Sequence, residues 1–437
     1  MVLDQLLQIL PDARFDRSKL RSVRASTVAG ITPDSKQAGP GIVFFSLPER
    51  QRENPFQVQA ALERGAAAVI CDPASPAPAR SACVQVADAR LAFSQTAALF
   101  HEHPARRLQV FGIGGEPEPR TRVAGWLTAL LDACGQDPAW LGASHCLAGG
   151  RRLPWSAERL DAFQLQGQLA AHARSGGRSC VIELLPGLLA GGQLGAVDFV
   201  QQATAALEGH DALQPEQLSL RGSRVRLALG GTDLRVHCPV VGRSQLQALA
   251  QALELALGSG LPIRRLAAAL PGLTPPAGVG EAVHCGQPFG VLVDGARDAT
   301  SLALLLQDAR ELTAGRLLLV TGPRPEDSIA GRRALAETAL ALADQVVVTR
   351  DQTGPGDFQE LVADFLGNDP QRCVRIEPDR HAAIRWVMRE ARAGDVVVLA
   401  GKGAAGAQRL GDAVVPWDDR LHAREALAWR GYVGRSW

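Results

Sequence analysis

The sequence predicts an α/β protein of three successive domains, the last of them a doubly wound, Rossmann-like parallel sheet. Three observations predict it. The chain has 437 residues, and a domain usually takes roughly 100–200. Its hydrophobic fraction of 46% fills several sizeable cores and excludes a disordered chain. In the last third, short continuous apolar runs alternate with helical patterns, as in parallel sheets covered on both faces.

Taken in order, the first hundred residues mix strands with one helix near 56–64, and Pro73-Ala74-Ser75-Pro76-Ala77-Pro78 reads as a loop. The middle begins near Arg106. Leu108 to Ile113 reads as a strand, followed by a glycine-containing loop and a helix from about Thr121 to Ala133. Ser179 to Leu184 is a second strand that carries a carboxylate, Glu183, near its end. Alternation over 218–238 around Gly230-Gly231 predicts a hairpin of 224–229 with 233–237. Helices 243–257 and 262–270 follow, and Pro271 to Gly280 reads as a linker. Strands 290–294, 316–321, 345–349, 373–376 and 395–400 then alternate with helices 300–313, 329–342, 356–366 and 379–392. The predicted boundaries give domains 1–105, 106–286 and 287–437. Ligands of such sheets gather at the carboxyl ends of the strands, here Asp294, Thr321-Gly322, Thr349-Arg350-Asp351 and Gly401-Lys402-Gly403.

Composition narrows the function. A net charge of +1 argues against nucleic acid, whose partners usually carry a basic excess. No apolar run approaches the ~20 residues of a membrane helix. The start, Met1-Val2-Leu3-Asp4-Gln5, lacks the basic and apolar regions of a signal peptide. A soluble, cytoplasmic protein is expected, without membrane or nucleic-acid partners. The eight cysteines make no C-x-x-C pair, so they read as reduced, buried small hydrophobes rather than a zinc or redox site. Lysine occurs only at 19, 36 and 402 among 46 basic residues, and any chemistry needing lysine elsewhere is excluded.

Several segments in order resemble the Mur ligases, especially the UDP-MurNAc-tripeptide synthetases of the MurE type. Asp34-Ser35-Lys36 with Pro40 to Pro48 resembles the family's opening "DSR…PGDLFVAL", and 60–69 continues it. Ala343 to Asp351 resembles "ADxVVVTSDNPR", Gly394 to Gly403 resembles "GDVVLIAGKGHE", and Asp418 to Leu427 resembles "DDREVAREAL". The resemblance spans nearly the whole chain. It implies a three-domain Mur ligase architecture: a UDP-sugar-type domain, a central P-loop-like domain and a Rossmann-like domain. It also implies ATP, magnesium, a carbamylated lysine and an amino-acid pocket, used to form an acyl phosphate that an amine attacks.

The motifs themselves depart from that pattern. The phosphate-loop position, Gly112 to Thr121, keeps Gly112 and Gly115 but carries Glu116, Pro117, Glu118 and Pro119. Proline removes N–H donors, and a phosphate cradle needs donors and a lysine. Only Arg120 and Thr121 are in place to substitute for Lys-Thr. Glu183 and His210 match two magnesium-associated positions, while Leu185, Pro186 and Gly187 replace the serines and histidine after the carboxylate. The segment that should hold the carbamylated lysine is missing. "DYAHTPD" becomes Asp294 to Thr300, keeping the aspartate and losing the tyrosine, histidine and proline, "DNPR" becomes Asp351-Gln352-Thr353-Gly354 without its arginine, and "GKGHE" keeps Lys402 but loses its histidine and glutamate. Asp34, Ser35 and Lys36 persist where the family holds the uridine end of its nucleotide sugar, and Asn54 and Phe56 resemble the later "DGHDF" segment in part.

The expectation is a catalytically degenerate, MurE-like ligase with no cofactor of its own. It would serve as a binding or scaffold protein for another synthetase, for a UDP-sugar-peptide, or for a second copy of itself. The alternative is an active ATP-dependent amide ligase with Arg120 and Thr121 at phosphate and Glu183 and His210 on magnesium. A third reading, a different activity built on Asp294, Arg297, Asp298 or Arg324, lacks a nucleophile–base pair to support it.

Overall fold

The computed structural model describes residues 2–10, 13–15, 27–48, 56–73, 83–143, 146–148, 151–153, 157, 160–350, 358–367, 374–410 and 413–432. They form two compact units, 1–114 with 136–202, and 115–135 with 203–437.

In the first unit a five-stranded sheet runs Arg14–Phe15, Cys83–Gln85, Ala68–Cys71, Ile42–Ser46, Gly30–Thr32, parallel except for its first strand. Period-two alternation sorts its faces. Val43 and Phe45 join Leu3, Leu6, Ile70 and Phe93 on one side, and Phe44 joins Val58 and Val69 on the other. The single helix expected near 56–64 is present as Gln57–Glu63, but helices Leu3–Ile9 and Ala89–Phe100 accompany it. The second of these starts at Asp88, whose carboxylate accepts from the Arg90 and Leu91 N–H groups, an N-cap visible in the sequence. A six-stranded sheet follows, in which Gln109–Gly114, Ser179–Glu183 and Pro138–Leu141 are parallel neighbours. Helix Ala162–Arg174 covers it and begins in a capping box of Asp161 and Gln164.

In the second unit helix Pro117–Ala133 starts earlier than its sequence suggested. Pro117 and Pro119 fall in the first turn, where backbone N–H groups have no intrahelical acceptor, so proline is tolerated there. Ser223–Leu229 and Thr232–Cys238 form the expected hairpin. Gly230 and Gly231 take φ of 58° and 76° at its turn, as a type I′ connection requires. Leu213–Gln217 adds an unpredicted third strand. The segment read as a linker is partly interior: Val279 is buried and the Gly280 N–H is bonded to Asp294.

The last sheet runs Glu281–Ala282, Gly290–Asp294, Val396–Ala400, Leu317–Thr321, Gln345–Val348, Val374–Ile376, parallel except for its first strand. Cores lie on both faces, one around Leu292, Leu319 and Val398, the other around Val291, Val320 and Val397. The last of its long strands in sequence, Val396–Ala400, inserts between the first two. The order therefore reverses beside Asp294, the place where doubly wound sheets present ligands. Among the described residues no helix is long and apolar enough to cross a membrane.

Candidate functional site

Strand Gly290–Asp294 delivers Asp294 to the carboxyl edge of the sheet with 1% exposure. Its carboxylate accepts from the Gly280 and Ala296 N–H groups, each at 2.7 Å. Gly278, Gly295 and Gly403 meet backbone to backbone beside it. A Cβ on Gly403 would stand 2.8 Å from the Gly278 carbonyl and from Gly295 Cα, so glycine is required there by close approach. Lys402, between Gly401 and Gly403, is buried, and the Gly401 and Gly403 N–H groups donate to the Asp294 carbonyl.

Helix Pro117–Ala133 brings an arginine to the same place. Arg122 is buried, and its Nε donates to Glu118 Oε1 at 2.6 Å, one turn earlier. Its Nη1 donates to Ser244 Oγ, which donates in turn to Asp308. Its Nη2 stands 3.9 Å from Asp294 Oδ2 and its Nη1 3.7 Å from Asp308 Oδ2. Four turns of sequence logic converge here: the helix after the glycine turn, the start of helix Arg243–Gly258, the strand end at Asp294, and helix Ala299–Glu311. Trp126 braces the cluster by donating to Gln245 Oε1 at 2.6 Å, and Gln245 Nε2 donates to the Val279 carbonyl.

One guanidinium thus faces three carboxylates. Burial, then the charge of Glu118, pushes the Asp294 carboxyl up to about 7, against the pull of Arg122 and the two N–H groups. Burial also raises Asp308, opposed by Arg122 and by the Ser244 bonds. Arg122 itself is held more firmly protonated, because its three carboxylate neighbours outweigh the burial that opposes its charge. A phosphate site needs donors and positive charge left for the ligand. Here Nε and Nη1 of Arg122 donate to protein acceptors, while its buried Nη2 faces Asp294 at 3.9 Å without a hydrogen bond.

The other sequence-predicted positions fall as follows. Gly112 lies inside strand Gln109–Gly114 against Phe199, which a Cβ would meet at 3.0 Å. Gly115 adopts φ of 103°, and Arg120 Nη1 turns back to its carbonyl at 2.9 Å. Thr121 is half-buried in the first turns of the helix. Glu183 is buried in the first unit, accepting from Trp140 Nε1 at 3.2 Å. His210, in the second unit, has its Nδ1 2.7 Å from Glu254 Oε2. Asp34 caps the 3-10 turn Ser35–Gln37 by accepting from the Lys36 N–H, with Ser35 half-buried and Lys36 exposed. Asp351 and Asn54 lie outside the described residues. Arg297 Nε donates to the Gly401 carbonyl, Asp298 caps helix Ala299–Glu311, and Arg324 pairs with Asp327. Arg122, Ser244 and Asp308 were not anticipated. Only the Glu118-to-Arg122 spacing, a helical i,i+4 pair, offered a hint. The thiols behave as read: burial pushes Cys71 and Cys238 up to about 12.

Comparison with known proteins fits this architecture. Residues 280–403 match the model of the Mur ligase glutamate ligase domain. The chain is 28% identical to a UDP-N-acetylmuramoyl-L-alanyl-D-glutamate–2,6-diaminopimelate ligase of Solibacter usitatus, over 97% of this chain and 98% of the relative. It is 28% identical to a UDP-N-acetylmuramyl-tripeptide synthetase of a Roseiflexus species, over 93% and 96%. A solved UDP-N-acetylmuramoyl-L-alanyl-D-glutamate–2,6-diaminopimelate ligase superposes with a TM-score of 0.65 at 20% identity, covering 99% of this chain and all of that one. A Thermotoga maritima MurF solved with ADP superposes at 0.51 and 14% identity, over 85% and 94%. The chain is similar to Mur ligases over nearly its whole length, and its fold is their three-domain α/β architecture. Among the Mur ligases, the similarity is to MurE-type tripeptide synthetases.

Proposed function

We propose that this MurE-like chain has given up ATP-driven amide synthesis and acts by binding. The observation that carries the reading is the Arg122 cluster. Glu118, on the helix that follows the phosphate-loop position, and Asp294, at a nucleotide position of the family, are joined through one buried guanidinium. Groups that a ligase would turn toward nucleotide are turned toward each other, with Arg120 closing its own turn. In the proposed role the helix is held on the sheet edge by the protein's own Arg122 contacts, and no cofactor is required.

The proposed setting is the cytoplasm. The proposed partner is another ligase or synthetase of peptidoglycan assembly, a UDP-linked peptide precursor held near Asp34, Ser35 and Lys36, or a second copy of the chain. Neither nucleic acid nor membrane is part of it. The test supplies Mg-ATP, UDP-N-acetylmuramoyl-L-alanyl-D-glutamate and 2,6-diaminopimelate, and follows ADP release. No substrate-dependent ADP is expected. ADP release that requires both co-substrates would instead establish the second reading, an active amide ligase with a remodelled loop. That reading is favoured by one fact, that the chain spans 98% of a relative named as a ligase.

A further inference from the structure

Away from that cluster, two helices of the second unit bring together three metal-ligating side chains that nothing in the ligase reading uses. His381 sits in the first turn of helix Arg380–Glu390, and His422 and Glu425 lie one turn apart on helix Asp419–Trp429. His381 Nδ1 is 3.1 Å from His422 Nδ1, and His422 Nδ1 is 3.1 Å from Glu425 Oε2. All three ligand atoms lie within 4.8 Å of one another. The two histidines are half-buried, and Glu425 is exposed to solvent.

We propose that His381, His422 and Glu425 form a site for one divalent transition ion of the zinc, cobalt or nickel type. Two ligands held at about 2.0–2.1 Å from one ion stand about 2.9 Å apart at a right angle and about 3.4 Å apart at a tetrahedral angle. The two 3.1 Å separations fall inside that interval. Hydrogen bonding alone satisfies the trio poorly, since a single proton on His422 Nδ1 faces both the His381 nitrogen and the carboxylate. Two imidazoles and a carboxylate suit borderline ions better than magnesium or calcium, which prefer all-oxygen sets. The exposed side leaves a position for water.

The ligands stand on a rigid frame. Arg380, next to His381, makes a buried bidentate pair with Asp419, three residues before His422, at 2.9 and 2.6 Å. Arg380 also donates to the Ala400 carbonyl at the sheet edge. Trp417 covers the His422 ring at a centroid distance of 4.1 Å and is anchored to Asp419 Oδ1 through its Nε1. The first turns of the two helices are therefore clamped together, and the ligand positions are set by buried contacts rather than by the ion. Such pre-positioning is what a metal site on a scaffold needs.

The experiment is a calorimetric titration of the chelator-treated full chain with zinc chloride, paired with cobalt(II) absorption spectroscopy. One equivalent of saturable uptake is expected, with a visible cobalt spectrum lacking a thiolate charge-transfer band. His381→Ala and His422→Ala should each weaken uptake at least about tenfold. Glu425→Gln alters an exposed group, so it should leave the thermal melt of the metal-free protein unchanged while still weakening the ion. Uptake unchanged in all three variants, a thiolate band, or no saturable binding in the micromolar range would each overturn the assignment.

Discussion

Replacing Arg122 by leucine removes the buried guanidinium that faces the buried Asp294 and the partly exposed Glu118 and Asp308. The hydrogen bonds to Glu118 and Ser244 are lost, together with the attraction to Asp294 and Asp308 at 3.9 and 3.7 Å. Two charge-assisted bonds at about 1.5–3 kcal/mol each agree with the ~3–5 kcal/mol typical of stranding a buried charge. The loss should depend on pH. Asp294 has its folded value raised to about 7 from 3.8, so its contribution is present below 3.8 and is lost as pH rises through about 7. Without Arg122 the folded value climbs further, and the ionised cluster costs more. Arg122→Leu should therefore destabilise helix Pro117–Ala133 more at about pH 8 than at about pH 5. Hydrogen exchange of that helix is the suitable assay, because a chain of two compact units need not melt in one step. A change below about 1 kcal/mol, or an equal change at both pH values, would refute the assignment of Arg122 as the organising charge.

Other substitutions probe the same frame. Asp294→Asn should flatten the stability loss between about pH 4 and 7 at a cost of about 1–3 kcal/mol, from an N–H left facing the amide; thermal melts across pH read both effects. Gly403→Ala forces a Cβ against the Gly278 carbonyl and Gly295 at 2.8 Å with φ at 51°, and should lower the melting temperature by the equivalent of at least about 1–3 kcal/mol. Asp161→Ala dismantles the capping box of helix Ala162–Arg174 and should cost about 1 kcal/mol, seen as faster exchange in its first turn. If the opening segment holds a UDP-linked precursor, Ser35→Ala should weaken binding of UDP-N-acetylmuramoyl-L-alanyl-D-glutamate in a calorimetric titration, and unchanged affinity would move that site elsewhere.

The C-terminal sheet was legible because its strands are continuous apolar runs and its helices carry their own caps, at Asp298, Ser328 and Asp379. Helix Ala162–Arg174 escapes the sequence reading although Asp161 and Gln164 announce it, since the strands before it are short, Pro138–Leu141 opening on a proline and Cys146–Ala148 having three residues. The prolines at 117 and 119 read as loop residues because their cost depends on position. In a first helical turn the missing N–H groups are no loss. Asp294 was found from its place at a strand end. Its partners were not, because Ser244 and Asp308 lie more than a hundred residues from Arg122, and only packing brings helix faces so distant in sequence to one point. The metal-ligand trio was hidden for the same reason: His381 is 41 residues from His422, and neither spacing nor composition links two helices across the three strands between them.

The central claim is that the residues at the family's nucleotide positions are committed to one another. Calorimetric titration of the full chain with Mg-ATP tests it most directly. The account predicts no saturable heat up to millimolar nucleotide in a chain that circular dichroism shows to be folded. Saturable binding of one equivalent, with protection of helix Pro117–Ala133 from hydrogen exchange, would contradict it and place the chain among the working ligases.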